Sequence, residues 1–378
     1  MSAIGILGGG QLARMLALAG APLGQRFLVV DSAADACAGQ VAPLLQANWR
    51  DFDALQKFAE QIDVATFDFE NVPADTAHWL TEHTRVFPNP VALATAQDRL
   101  VEKNLFREVG LDTPEFAAID SHADLAAAAK QIGLPAVLKT RRLGYDGKGQ
   151  FVLREIGDVD CAWKALGGVP LILEAFVPFE REVSIIGVRS RSGEFRHYPL
   201  TRNWHRDGIL SASLAPLGDV EEIEPRAVAH ARSLAGRLDY VGVFALELFV
   251  HGDRLLGNEM APRVHNSGHW TIEGTACSQF ENHVRAVVGL PLGDTSALGC
   301  SVMLNWIGEL PEARIVLNEP RAHWHDYGKS ARPGRKVGHA TICANNMTEM
   351  SERLARIGAA LGRDAQVAPV LAALSGRQ

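Results

Sequence analysis

Three groups of residues between positions 139 and 269 of this 378-residue chain have the types and spacing to do chemistry together. The loop Gly144-Tyr145-Asp146-Gly147-Lys148-Gly149-Gln150 leaves backbone N–H groups free to wrap anionic oxygens, and Lys148 adds a positive charge. Lys139 lies just upstream in "VLKT", an apolar strand pattern; a strand lysine followed by a glycine-rich strand–loop–strand suits a phosphate grip. No G-K-[ST] opens a helix, so this is not a Walker A loop. Glu247 in "FALELFV" and Glu259 in "LLGNEMAP" sit on apolar runs where an unpaired carboxylate is costly. The hairpin-length "HGDR" joins the runs, so the two glutamates can face each other. With Asn258 they form a hard-oxygen set suited to Mg²⁺ (or Mn²⁺) bridging phosphate oxygens. Directly after them, "APRVHNSGHW" packs Arg263, His265, Asn266, Ser267 and His269 into seven residues, the density expected of a reaction-centre loop.

A competing signal opens the chain. "GILGGGQLARM" fits G-x-G-x-x-G/A through Gly8, Gly10 and Ala13, and Asp31 ends "RFLVVD" about twenty residues on. Alone, that pattern predicts a dinucleotide site and a nicotinamide-dependent oxidoreductase. The downstream residues supply a separate and fuller nucleotide site. The glycine turn then reads as an anion-binding helix start.

The elements that must position these groups follow from periodicity. "AIGILGG", "RFLVVD" and "DVATFDFENV" read as parallel strands. Between them run amphipathic helices with Leu12, Met15, Leu16 and Ala19, then Leu55, Phe58, Ala59 and Ile62, facing inward. The carboxyl ends of those strands place the glycine turn and Glu70 on one rim. The prolines of "VFPNPVALATAQDR" mark a border. A helix "DRLVEKNLFREVG" and strands flanking the glycine loop follow, then a hinge near "LILEAFVPF". The remainder is rich in strands. A final helix, "MSERLARIGAALG", has Thr348 or Ser351 as candidate cap and Gly362 as stop. The expected division is 1–97, a Rossmann-like domain; 98–170, a small lid; and 171–378, the domain carrying the chemistry.

Composition narrows the function classes. Hydrophobic residues make up 47% of the chain, enough to bury large cores. A net charge of −7 with scattered basic residues argues against nucleic acid. No apolar run is long enough to span a membrane, and "MSAIGILGGG" lacks the basic start of a secretory signal. Five cysteines without CxxC spacing read as buried thiols in a reducing compartment, hence a cytoplasmic protein.

Taken in order, Lys139, Gly144–Gln150, "LEAFV", Glu247, Asn258-Glu259 and "APRVHNSGHWT" resemble the ATP-grasp superfamily. Within it, "YPLTRNWHRDGIL", "HDYGK" and "RPGRKVGHA" make the chain similar to the N5-carboxyaminoimidazole ribonucleotide synthetases over nearly its whole length. The resemblance implies an ATP-grasp fold (α/β and α+β) behind an N-terminal Rossmann-like parallel sheet. It implies an ATP-dependent carbon–nitrogen ligase of de novo purine synthesis, joining 5-aminoimidazole ribonucleotide to bicarbonate through carboxyphosphate. Glu174, Ala175, Phe176 and Val177 would meet adenine, and Glu182 the ribose. Arg99, Lys139 and His205 would lie around the phosphates with Gly144–Gln150 over them, and Glu247 and Glu259 would hold Mg²⁺. Arg263 would stabilise bicarbonate-derived oxyanions. His265, Asn266 and His269 remain open candidates for positioning and proton transfer. The ribonucleotide substrate would be met by Gly10, Gln11, Glu70, Tyr145, Asp146 and the cluster Lys329, Arg332, Arg335 and Lys336. A homodimer and a functional link to the downstream mutase are implied too. Two positions depart from the pattern: Ala13, and Leu143, where a further glycine is common.

Overall fold

Alternating apolar runs and amphipathic helices bring the first hundred residues into a five-stranded parallel sheet. Its order is Leu44–Gln46, Arg26–Asp31, Ala3–Leu7, Val64–Phe67, Arg85–Val86. The central strand Ala3–Leu7 is buried along its length, as a parallel strand covered on both faces must be. The computed structural model describes residues 2–144, 148–218 and 222–376, so Tyr145, Asp146 and Gly147 lie outside the described residues. The strand expected through "DVATFDFENV" ends at Phe67, because Asp68 turns in to meet the glycine loop.

Two further sheets follow. A four-stranded antiparallel sheet runs Phe116–Ile119, Leu171–Ala175, Ala136–Thr140, Gln150–Leu153. A nine-stranded antiparallel sheet begins at the edge strand Arg254–Ala261. It continues through Gly242–His251, Arg181–Arg189, Thr201–Arg206, Ile209–Ala215 and Cys300–Ile307 to Lys336–Ala344 and Ala322–Asp326, and Phe195–His197 pairs with Arg181–Arg189. Two borders expected from sequence shift accordingly. Leu171–Ala175 sits inside the small sheet, so that sheet extends past residue 170. The helix Arg99–Glu108 lies on the edge strand Arg254–Ala261, and its Leu105 and Phe106 share a core with Val183, Ile185 and Leu248 of the large sheet. The helix Met347–Leu361 is capped by Asn346, whose side chain accepts from Glu349 N–H, rather than by Thr348 or Ser351. Asn346 has extended φ and ψ, which an N-cap requires, whereas Thr348 and Ser351 are already helical. Gly362 ends that helix at φ 63°.

The parallel sheet is fastened to the large one through buried polar contacts. His283, on the helix Gln279–Val288, accepts from Val243 N–H at Nδ1 (3.0 Å) and bonds Thr66 of the parallel sheet through Nε2 (2.7 Å). Asn89 donates to the Leu238 carbonyl (2.7 Å). Burial keeps His283 neutral by lowering its pKa to about 4. The unfolded chain takes up that proton near pH 6.5 and the folded one does not. Stability is therefore complete above about pH 6.5 and is lost as pH falls towards 4, by about 3 kcal/mol in all. In His283→Gln the melting temperature should fall less steeply between pH 6.5 and 4.5 than in the wild type; equal slopes would remove His283 as the source.

Candidate active site

The hairpin of Gly242–His251 and Arg254–Ala261 sets Glu247 directly opposite Glu259. The register slips between Glu247 and Leu248, so Asn258 falls in a bulge and the ladder resumes at Gly257. Like charges in register are destabilising. Burial, and then the charge of Glu259, push the Glu247 carboxyl up to about 8, with Glu182 adding to it. Glu259 is held below the usual carboxylate range: burial opposes this, but Arg99, 2.9 Å away, outweighs it. Two opposed carboxylates, one obliged to keep its proton, are a donor set that a divalent cation would satisfy. The residues fit the Mg²⁺ reading on this ground.

The helix Arg99–Glu108 covers that edge strand and fixes it. Lys103, fully buried, donates to the Gly257 and Asn258 carbonyls at the bulge of this edge strand (2.9 and 2.7 Å). Glu102 accepts from Met260 N–H (2.7 Å); burial and the nearby Glu259 raise its carboxyl to about 8. Glu259 is thus gripped on both flanks through the backbone of Asn258 and Met260. Sequence reading passed over Glu102 and Lys103. Their signal was present: Arg99, Glu102, Lys103 and Phe106 form an i, i+3, i+4, i+7 stripe, which places charges where a core-facing helix carries apolar residues.

The same helix ties in the small sheet. Glu174 Oε2 lies 3.0 Å from Lys139 Nζ and 3.4 Å from Lys103 Nζ. Burial alone would raise Glu174, but Lys103, Lys139 and Arg99 hold it at about 2. Asp98 caps the helix by accepting from Leu100 and Val101 N–H, and it also receives Arg141 and Arg142 at the base of the glycine loop. Thr140 N–H bonds Gly149 O (2.8 Å), and Arg99 reaches Gly144 O (3.4 Å). A Cβ on Gly149 would lie 2.6 Å from Thr140 Oγ1, and φ there is +70°. Leu143 also takes a positive φ, 62°, a conformation that favours glycine. Of the segment expected to meet adenine, Glu174 pairs with strands on both sides. Ala175 and Phe176 N–H bond Glu115 and Pro135 carbonyls, so a base edge would be met beyond them, towards Val177. Gln150 pairs with Lys139, and Lys148 has partners of its own.

Across the sheet, His205 Nδ1 lies 2.8 Å from Glu182. Burial opposes its charge, but Glu182 prevails and raises the His205 pKa, with Glu247 and Glu259 adding to this. His265 Nε2 stands 3.5 Å from Glu247. Burial, then the positive charge of Arg263, hold His265 neutral, its pKa well below the usual value. Lys336 acts on both Glu247 and His265. Two members of the loop face elsewhere. Asn266 exchanges amide hydrogen bonds with Asn305 in the interior. His269 is fully buried among Phe280, Tyr327 and His339, and burial keeps it neutral, so it does not reach the surface where Glu247 and His265 meet.

The rim of the parallel sheet joins the site through Arg263, which donates to Glu70 (2.7 Å). Lys329 donates to the Gln11 side chain, and Arg335 bonds Ser330. Arg332 is exposed on the same loop. The glycine turn differs from expectation. Gly9 N–H donates to Asp31 (2.6 Å) and Gly10 N–H to Asp68, so these amides are paired within the chain and do not stand free for a phosphate. A Cβ on Gly10 would come within 2.5 Å of Asp68 Oδ2, which is why that position is glycine. Asp31, the residue a dinucleotide ribose would need, is turned back onto the loop.

Removing Lys103 should expose how much the bulge depends on it. Lys103→Met leaves two buried carbonyls and Glu174 short of a cation, and should cost about 3 kcal/mol in urea unfolding. A loss below about 1 kcal/mol would show that the carbonyls need no ammonium.

Comparison with known proteins gives three matched regions in order. Residues 1–97 match the ribonucleotide synthetase preATP-grasp domain, 104–280 the ATP-grasp domain, and 301–353 the phosphoribosylaminoimidazole carboxylase C-terminal domain. The chain is 52% identical over 357 residues to the N5-carboxyaminoimidazole ribonucleotide synthase of Pseudomonas aeruginosa, covering 94% of this chain and 98% of that one. Among solved structures it is similar to the Thermus thermophilus synthetase, with a TM-score of 0.91, 52% identity, and coverage of 95% and 98%. The Aspergillus clavatus enzyme, solved with ADP and 5-aminoimidazole ribonucleotide, aligns with a TM-score of 0.89, 31% identity, and coverage of 96% and 99%.

Proposed function

We propose how this chain performs the reaction of the family to which it belongs, the N5-carboxyaminoimidazole ribonucleotide synthetases: ATP-dependent carboxylation of 5-aminoimidazole ribonucleotide in purine biosynthesis. The observation that carries the reading is the opposed pair Glu247 and Glu259, set beside Arg99 and Lys139 and joined to the parallel sheet through Arg263 and Glu70.

A bicarbonate oxygen attacks the γ-phosphorus of ATP, forming carboxyphosphate and releasing ADP. The substrate amine then attacks the carboxyl carbon, and phosphate leaves as the amine loses its proton. Lys139 and the amides of Gly144–Gln150 hold the transferred group, and Arg99 offsets the charge it develops. His205, braced by Glu182, which raises its pKa, is assigned to the same oxygens. Glu247 and Glu259 would hold Mg²⁺, which neutralises phosphate charge when bound. Arg263 orients the bicarbonate-derived carboxylate, with Glu70 fixing the guanidinium. Gln11, Lys329, Arg335 and Lys336 are assigned to the ribonucleotide, and the family resemblance assigns Tyr145 and Asp146 to it too; Gly10 contributes shape rather than a free amide. His269 and Asn266 act from behind, by packing the loop. The division into a substrate-binding N-terminal unit, a small lid and a catalytic unit goes with this assignment. A homodimer, a cytoplasmic location and a hand-over to the downstream mutase are inferred from the family.

ADP release, measured with bicarbonate and with or without aminoimidazole ribonucleotide, tests the reading. The wild type should respond to both. Glu259→Gln should lower Mg-dependent turnover by about 10²-fold or more while the circular dichroism spectrum stays native. Full activity in that variant removes Glu259 as a metal ligand, and stimulation by glycinamide ribonucleotide instead would overturn the substrate.

A further inference from the structure

His265 is fixed by its backbone as well as its ring. Its N–H donates to Gln279 Oε1 (2.9 Å), and its carbonyl accepts from Gln279 Nε2 (2.7 Å). Nε2 looks towards Glu247 and the reaction site. Nδ1 looks into the protein, 2.9 Å from Ser267 Oγ and 3.4 Å from Ser267 N–H. Behind Ser267 a row of buried side chains crosses three neighbouring strands. Ser213 Oγ donates to Asn203 Oδ1 (2.8 Å), Asn203 Nδ2 to Ser184 Oγ (3.0 Å), and Ser184 Oγ to Ser267 Oγ (2.8 Å). Within the ATP-grasp assignment above, none of these four residues is a nucleotide ligand.

The polarity of this row is determined twice. A backbone N–H can only donate, so the Ser267 amide requires a bare Nδ1. Reversing the row would leave the Ser213 hydroxyl hydrogen without an acceptor among the described residues, in a fully buried position. Run forward, each hydroxyl hydrogen of the row has an acceptor, and the Ser267 hydroxyl hydrogen is delivered to Nδ1.

We propose that Ser213, Asn203, Ser184 and Ser267 form a tautomer lock that keeps the proton of His265 on Nε2. The ring therefore enters the reaction as a hydrogen-bond donor to an anionic oxygen beside Glu247, and not as the base that takes a proton from bicarbonate or the amine. To act as a base at Nε2, the neutral ring would have to move its proton to Nδ1, against two donors. The carboxylation reading supplies the identity of the oxygen; the tautomer stands independently of it. Ser184 and its neighbours are positioning residues, acting through the ring.

The test is ¹⁵N NMR of the full-length enzyme labelled at histidine, since protonated and bare ring nitrogens resonate far apart. The His265 signals are assigned by their loss in His265→Gln. The wild type should show Nδ1 bare and Nε2 protonated, with and without Mg-ADP. Ser184→Ala should mix the two tautomers and lower kcat by about tenfold or more, leaving the KM for ATP nearly unchanged, and Ser184→Thr should restore both. Ser213→Ala, at the far end of the row, repeats the test should Ser184→Ala fold poorly. A protonated Nδ1 in the wild type overturns the lock. So does an unchanged tautomer and kcat in the alanine variant that folds. An intact lock in an enzyme that does not carboxylate aminoimidazole ribonucleotide would instead overturn the functional reading.

Discussion

Two carboxylates held in register across neighbouring strands repel each other, and the surrounding structure is organised around that repulsion. Glu247 answers it by keeping a proton, Glu259 by pairing with Arg99. Neither remedy works unless the edge strand stays where it is. The helix Arg99–Glu108 therefore carries three consecutive tasks along one face: Arg99 meets the carboxylate, Glu102 takes an amide beside it, and Lys103 takes two carbonyls on its other side. The helix also reaches the small sheet through Glu174 and the loop base through Asp98. One helix thus joins the two halves of the nucleotide grip, and a cation entering between the glutamates would meet a pair already pressed together by the fold.

Much of this was legible from residue types. Glu247 and Glu259, each alone on an apolar strand and joined by a short turn, led to their pairing across the hairpin, and the register places them opposite. The parallel sheet followed from three apolar runs with amphipathic helices between them. What sequence reading missed has physical causes. The short strand Leu44–Gln46 and the two-residue strand Arg85–Val86 leave too few residues for a period to show. Leu171–Ala175 reads as a hinge by its place before "FVPF", yet pairs on both sides, because strand partnership is decided by residues far away in sequence. The cap at Asn346 lost to Thr348 and Ser351 on residue type alone, where backbone conformation decides. His269 and Asn266 shared a dense polar loop with His265, and sequence spacing cannot tell which members of such a loop turn inward.

The glycine turn is the most instructive departure. It has the βα geometry of a dinucleotide fold, including the acidic residue at position 31. The acid faces the loop and not a ligand, and a second one, Asp68, meets the next amide. The glycines are required, but by side chains of this chain pressing against the turn. A fingerprint of residue types reports the need for close approach; what approaches is settled by the ends of the neighbouring strands.

The cluster of Arg99, Glu102, Lys103, Lys139, Glu174 and Glu259, buried at Glu102, Lys103 and Glu174, contains three bases and three acids on two sheets and one helix. Its members come from one helix and three distant strand positions and share partners, so no one of them can be exchanged for an apolar residue without leaving another stranded. Over long divergence such a group changes by simultaneous replacement or hardly at all. The bulge at Asn258 adds to this inertia, since Lys103 serves the carbonyls there as well as Glu174. A hairpin irregularity of one residue thus acts as a ratchet on how these positions drift, tying the fate of a lysine on a helix to the backbone path of a strand more than 150 residues later.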